Sequence, residues 1–263
     1  MASSRNRQHA FFGVSALIFA CSTAVTILWC RSMSSMGGMR MPGGWTMSIA
    51  WMRMPGQTWI GAAAAFLAMW VVMMVAMMLP SLIPILRRYR EAVSAKSEPR
   101  LGWLTVLVGA SYFFVWTVFG MIAFPMGIGL AQTEMQQPAL AHAMPIAAGV
   151  VVLLGGAFQF TACKSRNLAC CLDMLMPGHE LPADAATAWR HGLRVGLHCS
   201  ICCAGLMAIL LVIGVMNLWA MAIVAAVITV ERFARASVCV VRAVGAVIVG
   251  AGVFLIARAA GLE

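Results

Sequence analysis

The sequence predicts an all-α fold, a polytopic transmembrane helix bundle that forms a single domain over residues 1–263. Hydrophobic residues make up 62% of the chain, charged residues only 10%, and the mean hydropathy is +0.92. Soluble domains average about 25% charged residues, so this composition excludes a soluble protein. Seven apolar stretches are each long enough to cross about 30 Å of hydrocarbon, which predicts about seven helices.

These stretches are separated by short polar segments. They lie at 10–30, 58–83, 101–124, 144–162, 196–216, 218–236 and 238–257. The sixth is the weakest, because Glu231, Arg232 and Arg235 lie in its second half and only Asn217 separates it from the fifth. If the segment 216–236 is re-entrant, the count falls to six.

Basic residues flank the apolar stretches, and they do not cluster with aromatic residues in a soluble unit. The formal charge of +10 therefore does not predict nucleic-acid binding. With the N-terminus inside, most Arg and Lys residues fall on the cytoplasmic side, which predicts an N-in, C-out orientation. The expected partners are the lipid bilayer and either another protein or further copies of the chain, since no sizeable soluble domain is present.

Under this topology the segment 31–57 is a methionine-rich extracytoplasmic loop, and the segment 163–195 is a cytoplasmic loop. The segment 125–144 would be a second outer loop. Thioethers are soft ligands that select Cu(I) over hard cations. The methionines that could take up a metal ion are Met33, Met36, Met39 and Met41. The alternative is that the Met and Trp side chains of this loop dip into the membrane interface.

The fifth stretch begins with a dense set of soft-metal donors, His198, Cys199, Cys202 and Cys203. On a helix, residues three and four positions apart share one face at about 5–6 Å, so the three thiols could chelate one ion. The alternative is that each Cys is a small buried hydrophobe.

The second stretch carries Met73, Met77 and Met78 near its inner end, and the fifth stretch begins at that same end. At about 1.5 Å per residue, these methionines and the cysteines fall in one layer. Glu231 falls near the same level; it either faces the interior as a functional group or pairs with Arg232 or Arg235. A Met stripe alone is more often packing than a ligand set.

Sulfur-rich coordination suits Cu(I), which is the predicted metal. Zinc is the second candidate, although closed zinc sites usually occur in small modules that the metal folds. An iron–sulfur cluster needs four separated thiolates, which this helix alone does not supply.

These segments together resemble the bacterial family described as predicted metal-binding integral membrane proteins. The resemblance rests on Trp70, Met73, the runs 76–78 and 80–81, Gln159, Lys164, the runs 199–203 and 205–207, 214–217 and 219–221, and Glu231 with Arg232. It implies metal binding in a helical membrane bundle and does not imply a reaction. It also implies the bacterial cytoplasmic (inner) membrane as the location. In the family pattern a Pro precedes the lysine and a Cys follows it, whereas here Cys163 and Asn167 stand near those positions.

The first hypothesis for the function is Cu(I) binding and delivery through a Met and Cys site in the bundle. The second is a copper-dependent membrane oxidase or oxygenase, alone or as a subunit of a complex, acting on a lipophilic substrate. A third is a thiol–quinone redox protein using Cys199 and Cys202, whose spacing lowers a thiol pKa. A structural subunit is a further alternative. The residues alone leave open whether the chain is an enzyme.

Overall fold

In a computed structural model of the chain, the described residues are 2–35, 39–40, 46–47, 56–94, 100–173, 182–233 and 237–261. They form eight helices and one two-stranded antiparallel ribbon. In chain order these are α1 (Ala2–Ser35), β1 (Met39–Arg40), β2 (Thr46–Met47), α2 (Trp59–Ser94), α3 (Leu101–Gln136), α4 (Pro138–Phe158), α5 (Ala162–Asp173), α6 (Ala185–Ile213), α7 (Leu218–Phe233) and α8 (Ser237–Ala259). The all-α prediction is confirmed for these residues, apart from the short ribbon.

Five of the described helices, α1, α2, α3, α6 and α8, are long and apolar enough to cross a membrane. Helix α4 qualifies only together with α5, from which it is bent by 60°, and the count with this pair is six. Helix α7 has 16 residues and is not among the candidates. Each of the seven predicted apolar stretches overlaps a helix, but length and composition support five or six spans.

The predicted outer loop 125–144 is wrong, because this segment is almost entirely helical. Helix α3 continues through Pro125 to Gln136, and α4 begins at Pro138. Proline is tolerated inside long apolar helices, and at the first position of a helix its missing N–H is not needed. The break between the two helices is the single residue Gln137.

The predicted cytoplasmic loop 163–195 also contains helical segments. Helix α5 and the first three turns of α6 lie within it. Helix α5 has a polar outer face and buries only a few side chains, among them Lys164 and Leu168. A search for long apolar stretches therefore does not detect it.

Two glycines of α6 bring this helix close to its neighbours. A Cβ atom added at Gly192 would overlap Ser111 and the carbonyl of Val108 on α3. A Cβ atom at Gly205 would lie 2.9 Å from the carbonyl oxygen of Gly155 on α4. Small residues at such crossings let backbones of membrane helices approach closely.

Helix α3 packs most extensively on α6, and α4 packs most extensively on α8. Helix α2 packs against α1, α3 and α7. The main buried cluster joins residues of α1, α2, α3, α6 and α7. The core therefore lies beside the segment of α6 that carries the cysteines.

Candidate metal centre

The three cysteines of α6 lie in two different environments. Cys199 and Cys203 stand four residues apart on one face, and both belong to the main buried cluster. Cys202 is also buried, but it packs with Leu168 of α5 and Val241 of α8. Cys203 is close to both of the other thiols. The pair on the main face is therefore Cys199 and Cys203.

The hydroxyl oxygen of Tyr112 lies 2.9 Å from the sulfur of Cys199. Both residues are completely buried. The approach depends on Gly196, one turn before the cysteine, where an added Cβ would lie 3.1 Å from the Tyr112 carbonyl oxygen. Contact between the backbones of α3 and α6 thus brings the Tyr112 hydroxyl group within hydrogen-bond distance of the Cys199 thiol.

A buried ion pair joins α5 to α7. The Lys164 Nζ atom donates to Glu231 Oε2 at 2.6 Å, and the two side chains are only 1% and 2% exposed. Glu231 therefore pairs with Lys164, whereas Arg232, one of the two partners considered from the sequence, donates to Ser81. Arg235, the other, lies outside the described residues. Lys164 is also an electrostatic neighbour of Cys202.

Arg232 brings a second positive charge to the same level. Its side chain is buried, and Nη1 donates to Ser81 Oγ on α2 at 3.4 Å. Its electrostatic neighbours include Cys199, Tyr112 and Cys203. The Nε and Nη2 atoms make no hydrogen bond within the described part of the chain. An arginine is always charged, so this buried cation faces thiol and phenol groups and forms no ion pair with a carboxylate among the described side chains.

We refer to Cys199, Cys203, Tyr112 and Arg232 as the buried centre. Four methionines of α2, Met73, Met74, Met77 and Met78, belong to the same hydrophobic cluster as the two cysteines. Met207, one turn beyond Cys203 on α6, is also in the cluster and completely buried. The thioethers and thiols of the predicted layer, apart from Cys202, thus belong to one buried cluster, which also includes Cys30 of α1. Their role as ligands stays a prediction.

His198 faces a different helix from Cys199. Its Nδ1 atom lies 2.8 Å from Asn167 Oδ1 on α5, and the side chain is half-buried. Among the described residues, no three His, Cys, Asp or Glu side chains are grouped so as to hold a metal ion. Coordination by three or more side chains at this level would therefore require methionine as well as cysteine.

Two of the four predicted metal-entry methionines lie outside the described residues. Met36 and Met41 lie outside them, and Met39 begins the strand β1. Met33 is part of α1 and is half-buried.

Sequence reasoning missed the parts of the centre that other helices contribute. Tyr112 was not singled out, and Lys164 and Arg232 entered only through the family resemblance or as possible partners of Glu231. A signal was present, because ionisable residues in apolar helices generally face the bundle interior. Tyr112 is one of only two tyrosines in the chain.

A family model described as PpoB2, copper chaperone, matches residues 67–255, which is 189 of the 263 residues. The chain belongs to this copper chaperone family. No curated protein and no solved structure matches the chain. Membership in the PpoB2 family links the chain to copper, which is the metal predicted from the sequence.

The PpoB2 match begins within α2 and ends within α8. It includes the buried centre, the α2 methionines and the ion pair of Lys164 with Glu231. Helix α1 and the methionine-rich segment 31–57 lie outside it. The part of the chain shared with the family is therefore the part that carries the sulfur atoms of the buried centre and of α2.

Proposed function

We propose that this protein is an integral membrane Cu(I) carrier that holds copper at the buried centre, as part of copper delivery. The observation that carries the proposal is the burial of Cys199 and Cys203 on one face of α6, in one cluster with Met73, Met77 and Met78. Membership in a copper chaperone family supports copper as the cargo.

The donor chemistry favours Cu(I) over other ions. Thiolates and thioethers are soft ligands that select Cu(I), whereas carboxylate and carbonyl oxygens suit hard cations. The carboxylate at this level, Glu231, already pairs with Lys164. The proposed ligands are the two thiolates of the centre, with a thioether of α2 or Met207 as a third donor.

The charges of the centre match a Cu(I) bis-thiolate. One Cu⁺ ion bound by two thiolates carries a net charge of −1. Lys164 and Glu231 cancel each other, and Arg232 leaves one positive charge beside Cys199 and Cys203. A buried charge is stable only when it is paired, so the complex and the guanidinium would stabilise each other. Binding a divalent ion to the same thiolates would leave Arg232 unbalanced.

We further propose that the five or six apolar helices cross the bacterial cytoplasmic membrane, and that the segment 31–57 receives copper on the outer side. The copper-oxygenase alternative receives less support from the geometry. Copper oxygenases generally use imidazole ligands, and the His next to the cysteines in the sequence, His198, lies 2.8 Å from Asn167 Oδ1. We expect the carrier to pass copper to a protein partner.

The experiment is metal analysis of protein purified in detergent under reducing conditions, with X-ray absorption at the copper edge. We expect bound copper with sulfur-dominated coordination. The variant C199S/C203S should lose this copper, whereas C21S/C239S, which changes two exposed thiols, should retain it. Equal copper content in C199S/C203S and the unmodified protein would refute the proposed centre.

The single variant C202S separates the two thiol environments. Cys202 packs with Leu168 and Val241, in a cluster separate from the main one. We expect C202S to keep most of its copper, so loss comparable to that of C199S/C203S would show that all three thiols act together.

A further inference from the structure

A second pair of sulfur atoms lies far from the buried centre. The Cys30 thiol of α1 donates to the Met216 thioether at an S–S distance of 3.9 Å. Met216 belongs to the turn between α6 and α7, and 186 residues separate it from Cys30. Cys30 is only 3% exposed. The contact therefore joins two distant elements through their soft donor atoms.

The turn that carries Met216 has a fixed geometry. Helix α6 ends at Ile213, and Gly214 follows with φ of +117°, a conformation that residues with a Cβ rarely adopt. The Asn217 N–H then donates to the Gly214 carbonyl at 3.0 Å, which closes the turn. The backbone of this closed turn therefore fixes the position of Met216.

We propose that Cys30 and Met216 form a separate Cu(I) site, with Met33 as the third ligand. This inference rests on the proposed copper function. Met33 lies three residues after Cys30 on α1, so both side chains project from the same face of the helix. Met33 is half-buried and lies near the start of the methionine-rich segment 31–57.

The distance between the two sulfur atoms fits such a site. Metal–sulfur bonds are about 2.3 Å long, as for zinc and thiolate. Two sulfur atoms 3.9 Å apart, each about 2.3 Å from one ion, subtend an angle of about 115° at that ion. This is close to the angle of trigonal coordination, which leaves room for one further donor.

We refer to Cys30, Met33 and Met216 as the outer site, which is distinct from the buried centre. Cys199 lies 14 residues before Ile213, the end of α6 nearest to Met216, which corresponds to about 21 Å along the helix. Met207 lies between the two levels on α6 and is completely buried. The outer site would take the ion first, and Met207 with the α2 methionines would offer donors on the way inwards.

Cu(I) titration of the full-length protein in detergent against a competing chelator tests this inference. We expect two classes of Cu(I) site in the unmodified protein. The variant C30S should lose one class, and M216L should weaken the same class by more than about tenfold, because each loses a ligand. C30M should retain it, because a thioether replaces the thiol at this position.

Two control variants change the same residue types at exposed positions. C21S removes an exposed thiol from the same helix, and M126L removes a thioether that is 69% exposed on α3. Both should titrate like the unmodified protein. If C30S and M216L also titrate like the unmodified protein, the outer site is refuted.

The variant C199S/C203S separates this inference from the proposed function. If it loses one class of site and C30S loses the other, both proposals stand. If C199S/C203S keeps both classes while C30S loses one, the buried centre is refuted and the outer site stands. X-ray absorption of copper-loaded C199S/C203S should show three sulfur neighbours, and oxygen or nitrogen neighbours in their place would contradict the proposed ligand set.

Discussion

The hydroxyl group of Tyr112 lies 2.9 Å from the sulfur of Cys199 and joins the middle of α3 to the buried face of α6. Either group can donate to the other. If Cys199 becomes a thiolate on binding Cu(I), the phenol becomes the donor and stabilises the charged sulfur. A hydrogen bond to a charged group contributes about 1.5–3 kcal/mol.

We therefore expect Y112F to weaken Cu(I) binding at the buried centre by about tenfold or more, which follows from this hydrogen-bond energy. The measurement is a Cu(I) titration against a chelator. The matched control is Y89F, since the Tyr89 hydroxyl is buried without a hydrogen-bond partner among the described residues. Equal affinities for the two variants would show that the Tyr112 hydroxyl does not act on the metal site.

Arg232 is predicted to balance the charge of the copper complex. R232M should weaken Cu(I) binding by at least about tenfold, because a buried net charge without a partner is strongly unfavourable. R232K should retain more of the affinity, since it keeps the positive charge. R258M, at an exposed arginine of α8, serves as the control in the same titration. A wild-type affinity in R232M would contradict the charge argument.

The ion pair of Lys164 with Glu231 is predicted to stabilise the fold without binding copper. K164M leaves the carboxylate buried and unpaired, which should lower the free energy of unfolding by about 3–5 kcal/mol. The double variant K164M/E231L removes both charges and should recover most of this loss. Thermal unfolding in detergent measures both effects. A double variant less stable than K164M would show that Glu231 has another partner.

The contact between α3 and α6 depends on Gly192. G192A places a methyl group against Ser111 and the Val108 carbonyl, so it should destabilise the protein by about 1–3 kcal/mol. G109A, in α3, meets no heavy atom within 4 Å and should be neutral or slightly stabilising, because Ala favours a helix. Thermal unfolding of the two variants compares them directly, and equal midpoints would exclude close packing at Gly192.

Asp184 caps the N-terminus of α6, and the Thr187 N–H donates to its carboxylate at 3.0 Å. Side-chain and backbone hydrogen bonds from Thr187 lower the pKa of Asp184 below its ordinary value. The folded state thus binds a proton less readily than the unfolded state. The cap stabilises the protein above about pH 4, and this contribution is lost as the pH falls through the lowered pKa.

D184N keeps a capping oxygen but has no charge to titrate. Its thermal midpoint should therefore fall less steeply between about pH 5 and pH 3 than that of the unmodified protein. D184A should be less stable than D184N at neutral pH. Identical pH profiles for the unmodified protein and D184N would show that this carboxylate does not contribute to acid destabilisation.

The sequence predicted some of these features and missed others for physical reasons. Cys199 and Cys203 could be placed on one face because helical geometry fixes the direction of residues four positions apart. The same helical geometry would place Cys202, three positions after Cys199, on much of that face, yet it packs against α5 and α8. The spacing of residues along a helix gives the direction in which each side chain projects. The packing of the neighbouring helices determines what that side chain contacts.

Hydropathy was likewise unable to predict where the helices begin and end. Hydropathy detected every long apolar segment but placed a loop at 125–144, where α3 and α4 are separated by one residue. It also missed α5, since a short helix with a polar face has no long apolar stretch. Helix α5 supplies Lys164, so the ion pair could not be predicted from hydropathy.

The sequence by itself determined the helical class, the apolar character of the chain and the presence of soft donors, because these follow from composition and local periodicity. Only the tertiary structure decided that Tyr112 meets Cys199, that Lys164 pairs with Glu231, and that Cys30 contacts Met216. Each of these contacts joins residues at least 67 positions apart. Such contacts depend on how whole helices pack, which is set by close approaches such as that at Gly192 and not by any local pattern.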